Sequence, residues 1–227
     1  MYHIVSTYIS LIIQFITGFI CLYGIFIPLA FKDIILREIL ILETIVQFIE
    51  ILFYIWLVMY FYKINYDVTY VRYFDWFLTT PIMLLSTVFL FEYMSNHSIS
   101  IFEIITKDFY YLSLIIICNF FMLLVGFLGE IKKMYKSISV LLGFIFLLST
   151  FYFIYDKYVG DNIINKLLFF YIFFIWILYG IAFMLPYSKK NTMYNILDIL
   201  SKNLYSLFIF FKIYYANSKE FPILIHK

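Results

Sequence analysis

The sequence predicts an all-α membrane protein: a bundle of seven transmembrane helices in one domain that occupies residues 1–227. Two observations carry this. Of the 227 residues 65% are hydrophobic and 13% charged, with a mean hydropathy of +0.98, well above the roughly 45–50% apolar usage of soluble domains. Apolar runs of about 20 residues, enough to cross a bilayer at 1.5 Å per residue, recur along the chain and leave little sequence for anything else. The lipid bilayer is therefore the first expected partner. The formal charge of +2 comes with basic residues scattered through the links, so no nucleic-acid partner is expected.

Taken in order, the first run, residues 4–30, is too long and too uncharged at its start for a cleaved signal peptide and reads as the first helix. The second, 35–61, carries Glu43, Gln47 and Glu50 at i, i+4 and i+7, one polar stripe on one face, behind Arg37 and Glu38 at its entrance. The third, 69–93, places Arg72, Asp75 and Thr79 on a common face and Pro81 at mid-span, where it predicts a kink. The fourth and fifth, 109–129 and 135–156, are apolar apart from Asn119, a few hydroxyls and the end charges Lys136 and Asp156. The sixth, 163–186, contains Trp176 and Tyr179. The seventh, 193–216, holds Asp198 and Lys202 at i, i+4. Short polar links separate them: Lys32-Asp33, Lys63 to Asp67, Glu92 to Asp108, Glu130 to Lys136, Asp156 to Lys166 and Pro186 to Thr192.

Several features are uninformative. Cys21 and Cys118 each fall inside a span and read as small apolar fillers; no metal site is expected. The 29 Phe and 23 Tyr stand against three Ala, which fits a compositional bias and says little about function. Lys and Arg divide almost evenly between the two sets of links, so the positive-inside rule does not orient the chain. No internal repeat is visible, which weighs against a repeat-built transporter.

The charges inside spans are the informative part, because ionisable groups at membrane depth persist mainly where they pair, line a wet cavity or serve a ligand. Spans three and seven run the same way. Counted from their expected starts, Asp75 and Asp198 lie roughly 9 and 8 Å deep and Lys202 roughly 14 Å. Two acids flanking one lysine point to a single internal site. A snorkelling lysine or a structural ion pair is the plainer alternative, and tryptophans such as Trp76 and Trp176 more often mark the interface.

The pattern Arg72-Tyr73-x-Asp75-Trp76-x-x-Thr79-Thr80-Pro81, followed by Asp198-x-x-x-Lys202, resembles the microbial (type 1) rhodopsins. The resemblance implies all-trans retinal as cofactor, bound by Lys202 as a Schiff base, with Asp75 as primary counterion and proton acceptor, Asp198 as second counterion and Arg72 as the organiser of the exit side. The cations of Arg72 and the Schiff base then balance Asp75 and Asp198 in a closed neutral quartet. It also implies a polyene held by Trp76, Trp176 and Tyr179, with Phe183 where a tryptophan is frequent and Gly180 where a proline is frequent. Thr80 faces Asn119, and Met122 and Gly126 lie around the ring. Met83 occupies the colour-tuning position, where apolar residues go with green absorption. The N-terminus is then extracellular and the C-terminus cytoplasmic.

Departures from the family bear on mechanism. The three third-span positions that summarise function are Asp75, Thr79 and Ser86, and a serine cannot donate a proton near neutral pH where outward pumps keep a carboxylic acid. The segment Pro186 to Thr192 offers Lys189 and Lys190 and no acid, so the paired glutamates of the best-known pumps are absent. An Asp-Thr-Ser triplet in a short chain resembles rhodopsins of giant viruses, and with it goes an expected place in a host-cell membrane and a homo-oligomeric state. The expected function is a light-driven outward proton pump, not an enzyme, with protons as the transported partner and Glu43 as a substitute donor. The alternatives are a light-gated cation channel, in which the Glu43–Glu50 stripe lines the pathway, and a photosensor. A solvated cleft or subunit contact is the plainer reading of that stripe.

Overall fold

The computed structural model describes residues 2–60, 67, 69–96 and 99–220. Seven helices build an all-α bundle: α1 (Tyr2–Ile25), α2 (Ile34–Tyr60), α3 (Arg72–Ser95), α4 (Ile101–Glu130), α5 (Lys136–Ile154), α6 (Ile163–Phe183) and α7. The last is one rod in three parts: Tyr187–Asp198, a π-helical turn Ile199–Asn203, and Leu204–Glu220. Another π-helical turn, Tyr155–Val159, extends α5. Each helix packs on its neighbours in sequence, and α7 packs back on α1 and α2 to close the ring.

Among the described residues six helices, α1 to α6, are long and apolar enough to cross a membrane. The seventh is polar in its first part, Tyr-Ser-Lys-Lys-Asn-Thr-Met-Tyr-Asn-Ile-Leu-Asp, and buries Lys190, Asn191, Asn195 and Asp198 inside the bundle. The outward faces of the other helices carry large apolar side chains such as Phe19, Leu52, Phe74 and Leu167, which in a bilayer meet lipid. That is the inverse of the soluble pattern, and it leaves the interior free to be polar.

Two expected boundaries move. The fourth span begins at Ile101, not at 109. Ser100 Oγ accepts from the Glu103 amide at 3.2 Å while Glu103 Oε2 accepts from the Ser100 amide at 3.0 Å, a reciprocal cap that starts the helix among residues whose charges look like a link. Asp108, the last residue of that expected link, has φ −113° and ψ 21° inside α4, so the helix bends there. The seventh helix begins at Tyr187 with Pro186 before it, and the Lys190 amide donates to the Pro186 carbonyl at 2.8 Å. Proline is tolerated at a helix start, since the amide it lacks would be unpaired there anyway. The expected link Pro186 to Thr192 is therefore mostly helix. The link from Lys63 to Asp67 lies outside the described residues, apart from Asp67.

Pro81 sits inside α3, which runs as one helix from Arg72 to Ser95. Thr79 and Thr80 donate back to the carbonyls of Asp75 and Trp76, at 3.0 and 2.8 Å. In α6, a Cβ at Gly180 would fall 2.7 Å from the Phe144 ring of α5. Close approach to α5 is thus the reason for glycine where the family often has proline. Cys21 and Cys118 are both free thiols.

Candidate functional site

The i, i+3, i+7 spacing on α3 carries Arg72, Asp75 and Thr79 to the bundle interior, and all three are buried. On α7, Asp198 ends the first helical part and Lys202 stands within the π-helical turn. A π turn widens the helix and shifts the register of the residues beyond it, and such turns cluster at functional positions. Here it sets the lysine against α2 and α3.

The Lys202 ammonium donates to Glu50 Oε1 at 2.7 Å and Asp75 Oδ2 at 3.1 Å and lies 3.5 Å from Asp198 Oδ1. Asp198 is the most heavily held of the three acids. Tyr54 donates to its Oδ2 at 2.7 Å, Arg72 Nη1 donates to the same oxygen at 3.2 Å, and Tyr179 donates to Oδ1 at 2.7 Å. Asp75 and Glu50 by contrast each keep one buried oxygen without a hydrogen-bond partner, Oδ1 and Oε2. The guanidinium of Arg72 also donates to Asn191 Oδ1 at 3.0 Å and to Asn195 Oδ1, and it lies 5.5–5.8 Å from the ring centres of Phe53, Tyr54 and Tyr194.

Sequence reasoning did not place Glu50 at the lysine. The expected quartet of two cations and two acids is corrected to five groups: Lys202 and Arg72 face Asp75, Asp198 and Glu50. With all three acids ionised the site would bear an excess negative charge out of contact with water, and buried charge is costly unless paired. One proton on an acid restores neutrality. The signal was present in the i+7 spacing of Glu50 from Glu43, but nothing in the sequence set the rotation of α2 about its axis.

The rest of the α2 stripe is equally internal. Glu43, Gln47 and Glu50 are each 0% exposed, which rules out the solvated cleft and the subunit contact. Ser86 donates to Glu43 Oε1 and Ser206 to Oε2 at 3.4 Å. Gln47 Nε2 donates to Ser206 at 3.1 Å, and Gln47 Oε1 accepts from Asn203 Nδ2 at 2.9 Å. A buried polar column thus runs between α2, α3 and α7 on the side of Lys202 away from Arg72.

A cavity of about 110 Å³ opens beside Lys202. Trp76, Thr80 and Met83 of α3, Met122 and Gly126 of α4, and Trp176, Tyr179 and Phe183 of α6 all line it, together with Lys202. Asn119 stands behind Thr80 and donates to its hydroxyl at 2.9 Å. The α5 contribution of Ser139, Val140, Gly143 and Phe144 had no sequence signal, because that helix shows only apolar periodicity. The Trp76 ring is held edge-on by Tyr179 and Tyr194 at 5.5 and 4.9 Å, and Trp176 by Phe151 at 5.5 Å. An amine in a cavity walled by aromatic and thioether groups suits an apolar aldehyde: the walls take the chain and the amine takes the carbonyl carbon.

The sequence matches the profile of the family described as bacteriorhodopsin-like protein over residues 4–215. The chain belongs to this family, the microbial rhodopsins. Among solved structures it is similar to the viral rhodopsin OLPVRII, with 30% identity and a TM-score of 0.83 over 92% of this chain and 95% of that one. It is also similar to the blue light-absorbing proteorhodopsin from Med12, at 18% identity and TM-score 0.74 over 94% and 97% of the two chains. The proton pumping rhodopsin AR2 from the marine alga Acetabularia acetabulum gives 19% and 0.73 over 97% and 96%. The last two show the fold alone. Among curated proteins no match was found. The family implies retinal as cofactor and retinal-based ion transport rather than enzymatic catalysis.

Proposed function

We propose that this rhodopsin binds all-trans retinal on Lys202 and works as a light-driven outward proton pump. The observation that carries the proposal is the buried Lys202 amine at the cavity, with Asp75 Oδ2 3.1 Å away and its other oxygen unpartnered. When bound, retinal supplies a Schiff-base nitrogen whose orientation and acidity change with light. Asp75 then has both the reach and the free oxygen to take the proton from that position. Asp198, held by Tyr54, Tyr179 and Arg72, serves as the second counterion. Trp76, Trp176 and Tyr179 hold the polyene, Met122, Gly126 and Phe183 bound the ring, Met83 and the Thr80–Asn119 pair fix the wall of α3, and Thr79 caps the Asp75 carbonyl. The N-terminus is extracellular, so Arg72 faces the exit and Ser86 the cytoplasm. Resemblance to a viral rhodopsin supports a rhodopsin of viral kind, and the same reading takes Asp75, Thr79 and Ser86 as its triplet, a host-cell membrane as its place and a homo-oligomer as its state.

Return of the proton requires a donor other than Ser86. Glu43 is on the cytoplasmic side, hydrogen-bonded to Ser86 and Ser206. Replacing it by glutamine is expected to slow recovery of the visible band after a flash by about a hundredfold or more, the lower range for a lost acid–base group, and to leave the first light-driven change intact. Recovery at the wild-type rate would assign the donor to bulk water.

One observation favours a second reading. The polar column through Glu43, Gln47, Asn203 and Ser206 is a feature of a pathway as much as of a proton relay, and it supports a light-gated cation channel. Photocurrent at zero voltage between identical solutions separates the two. A steady one-way current is expected for the pump; no current at zero voltage, with reversal at the cation equilibrium potential when a gradient is imposed, would replace it with the channel. A light response without either current would favour a photosensor.

A further inference from the structure

The π-helical turn that carries Lys202 leaves one carbonyl of α7 short of its helical partner. At the end of the turn the Leu204 amide donates to the Ile199 carbonyl, five residues back, whereas a regular α-helix would give that amide to Leu200. In a bilayer no water takes its place, and a backbone group left unpaired there is costly. The replacement donor comes from another helix: the Tyr171 hydroxyl of α6 donates to the Leu200 carbonyl oxygen at 2.7 Å.

Tyr171 is unusual for a membrane tyrosine. Such residues collect at the two interfaces, where the hydroxyl meets water, but Tyr171 is the ninth residue of the 21-residue α6, roughly 12 Å into the helix, with 38% of its surface exposed on the lipid side. It is not among the residues that line the cavity. Two turns further along α6, Tyr179 reaches the same part of α7, with Ser201 Oγ at 3.0 Å and Asp198 Oδ1 at 2.7 Å. From the opposite side Gln47 Oε1 of α2 accepts from Asn203 Nδ2 at 2.9 Å, and within α7 the Ser206 hydroxyl donates to the Lys202 carbonyl at 2.8 Å. The turn is thus pinned by side chains at each of residues 200 to 203, and Tyr171 supplies the bond at the carbonyl that the π geometry strips.

We propose that Tyr171 is a positioning residue for Lys202, a role that rests on the reading of Lys202 as the amine that binds retinal. Its hydroxyl takes the place of the Leu204 amide at Leu200 and so keeps the turn in the π form. That form sets the Lys202 nitrogen against Glu50 and Asp75, at 2.7 and 3.1 Å. Without the hydroxyl, the Leu200 carbonyl competes for the Leu204 amide, the turn tightens towards α, and Lys202 shifts in register relative to Asp198. The nitrogen then draws away from the acids of α2 and α3, and less negative charge holds positive charge at that end of the bound polyene. Because Tyr171 touches neither the cavity nor the acids, its effect on colour passes through the backbone of α7.

The test compares Tyr171→Phe, which keeps the ring and removes the hydroxyl, with Tyr152→Phe, which does the same at a lipid-facing tyrosine of α5 that is 62% exposed. The full chains carry isotope labels on the leucine carbonyl carbon and the serine nitrogen, which together single out four carbonyls, those of Leu85, Leu112, Leu148 and Leu200. In solid-state NMR of the protein without retinal, Tyr171→Phe is expected to move the Leu200 resonance and leave the other three in place. With all-trans retinal added, its visible band is expected to lie to the red of wild type. Tyr152→Phe is expected to show neither change, with equal helical circular dichroism in all three proteins. A Leu200 resonance that stays in place in Tyr171→Phe overturns the proposal. So does a moved resonance with the wild-type band, since the hydroxyl would then brace the turn without placing the lysine. Either result leaves the retinal reading standing, whereas a wild type that stays colourless with retinal overturns that reading and the role together.

Discussion

Lys202→Ala protein mixed with all-trans retinal is expected to show no absorption band in the visible, where wild type is coloured. The argument is geometric. Among the groups that line the cavity Lys202 is the one amine, and it is held at that point by three carboxyl groups from α2, α3 and α7. Other lysines near the bundle interior, such as Lys190, are committed to acids elsewhere. A methyl group in place of the butylamine leaves the cavity walls intact and removes the nucleophile. The variant also strands three acids that lose their common cation. Removing one partner of a buried pair costs on the order of 3–5 kcal/mol, partly relieved here by protonation of the acids. The control is therefore helical circular dichroism in the same detergent: a folded, colourless protein is the expected outcome, and a coloured Lys202→Ala protein would end the assignment of this residue.

How much of this could be seen in the sequence depends on which physical signal each feature leaves. Hydropathy alone shows the helices facing lipid, because a bilayer imposes a composition on every residue of a span. The seventh helix lacks that signal in its first part, and its start was misplaced by six residues because Lys189, Lys190 and Asn191 look like a link. Depth counted from expected starts put Lys202 about nine residues in. From Tyr187 it lies fifteen residues in, or roughly 22 Å, and yet it meets Asp75, which is three residues from the start of α3. The two helices begin at different heights, so side-chain contact and not residue count sets the register. In the same way Asp75, Asp198 and Lys202 were legible because their spacing sits within single helices. Glu50 was not, because its partner Lys202 comes from another helix and the contact depends on the axial rotation of α2. The π-helical turn at Ile199–Asn203 sets the register of Lys202 against α2, and its composition does not stand out in an apolar chain.

Asp75→Asn is expected to shift the visible band to the red and reduce light-driven proton transport by about a hundredfold or more, the lower range for a lost proton-transfer group. A negative charge beside the nitrogen on Lys202 holds positive charge there, and a neutral amide of the same shape releases it along the polyene. The corrected charge count makes this a sharper test than two acids would. Asp198 is tied by Tyr54, Tyr179 and Arg72, so it has the least freedom to accept a proton. Asp75 and Glu50 each have a free oxygen and lie within 3.1 Å of the same nitrogen. They compete for the role, and the site needs only one of them protonated to be neutral. If Asp75 is the acceptor and Glu50 carries the dark proton, Asp75→Asn removes a charge while Glu50→Gln removes none. The band then moves strongly in the first variant and little in the second, and transport is lost only in the first. If the roles are reversed, Glu50→Gln gives the large red shift and the loss of transport. Absorption spectra and pH changes in illuminated cell suspensions of the two single variants decide between these outcomes, and wild-type colour and transport in Asp75→Asn would remove Asp75 from the mechanism.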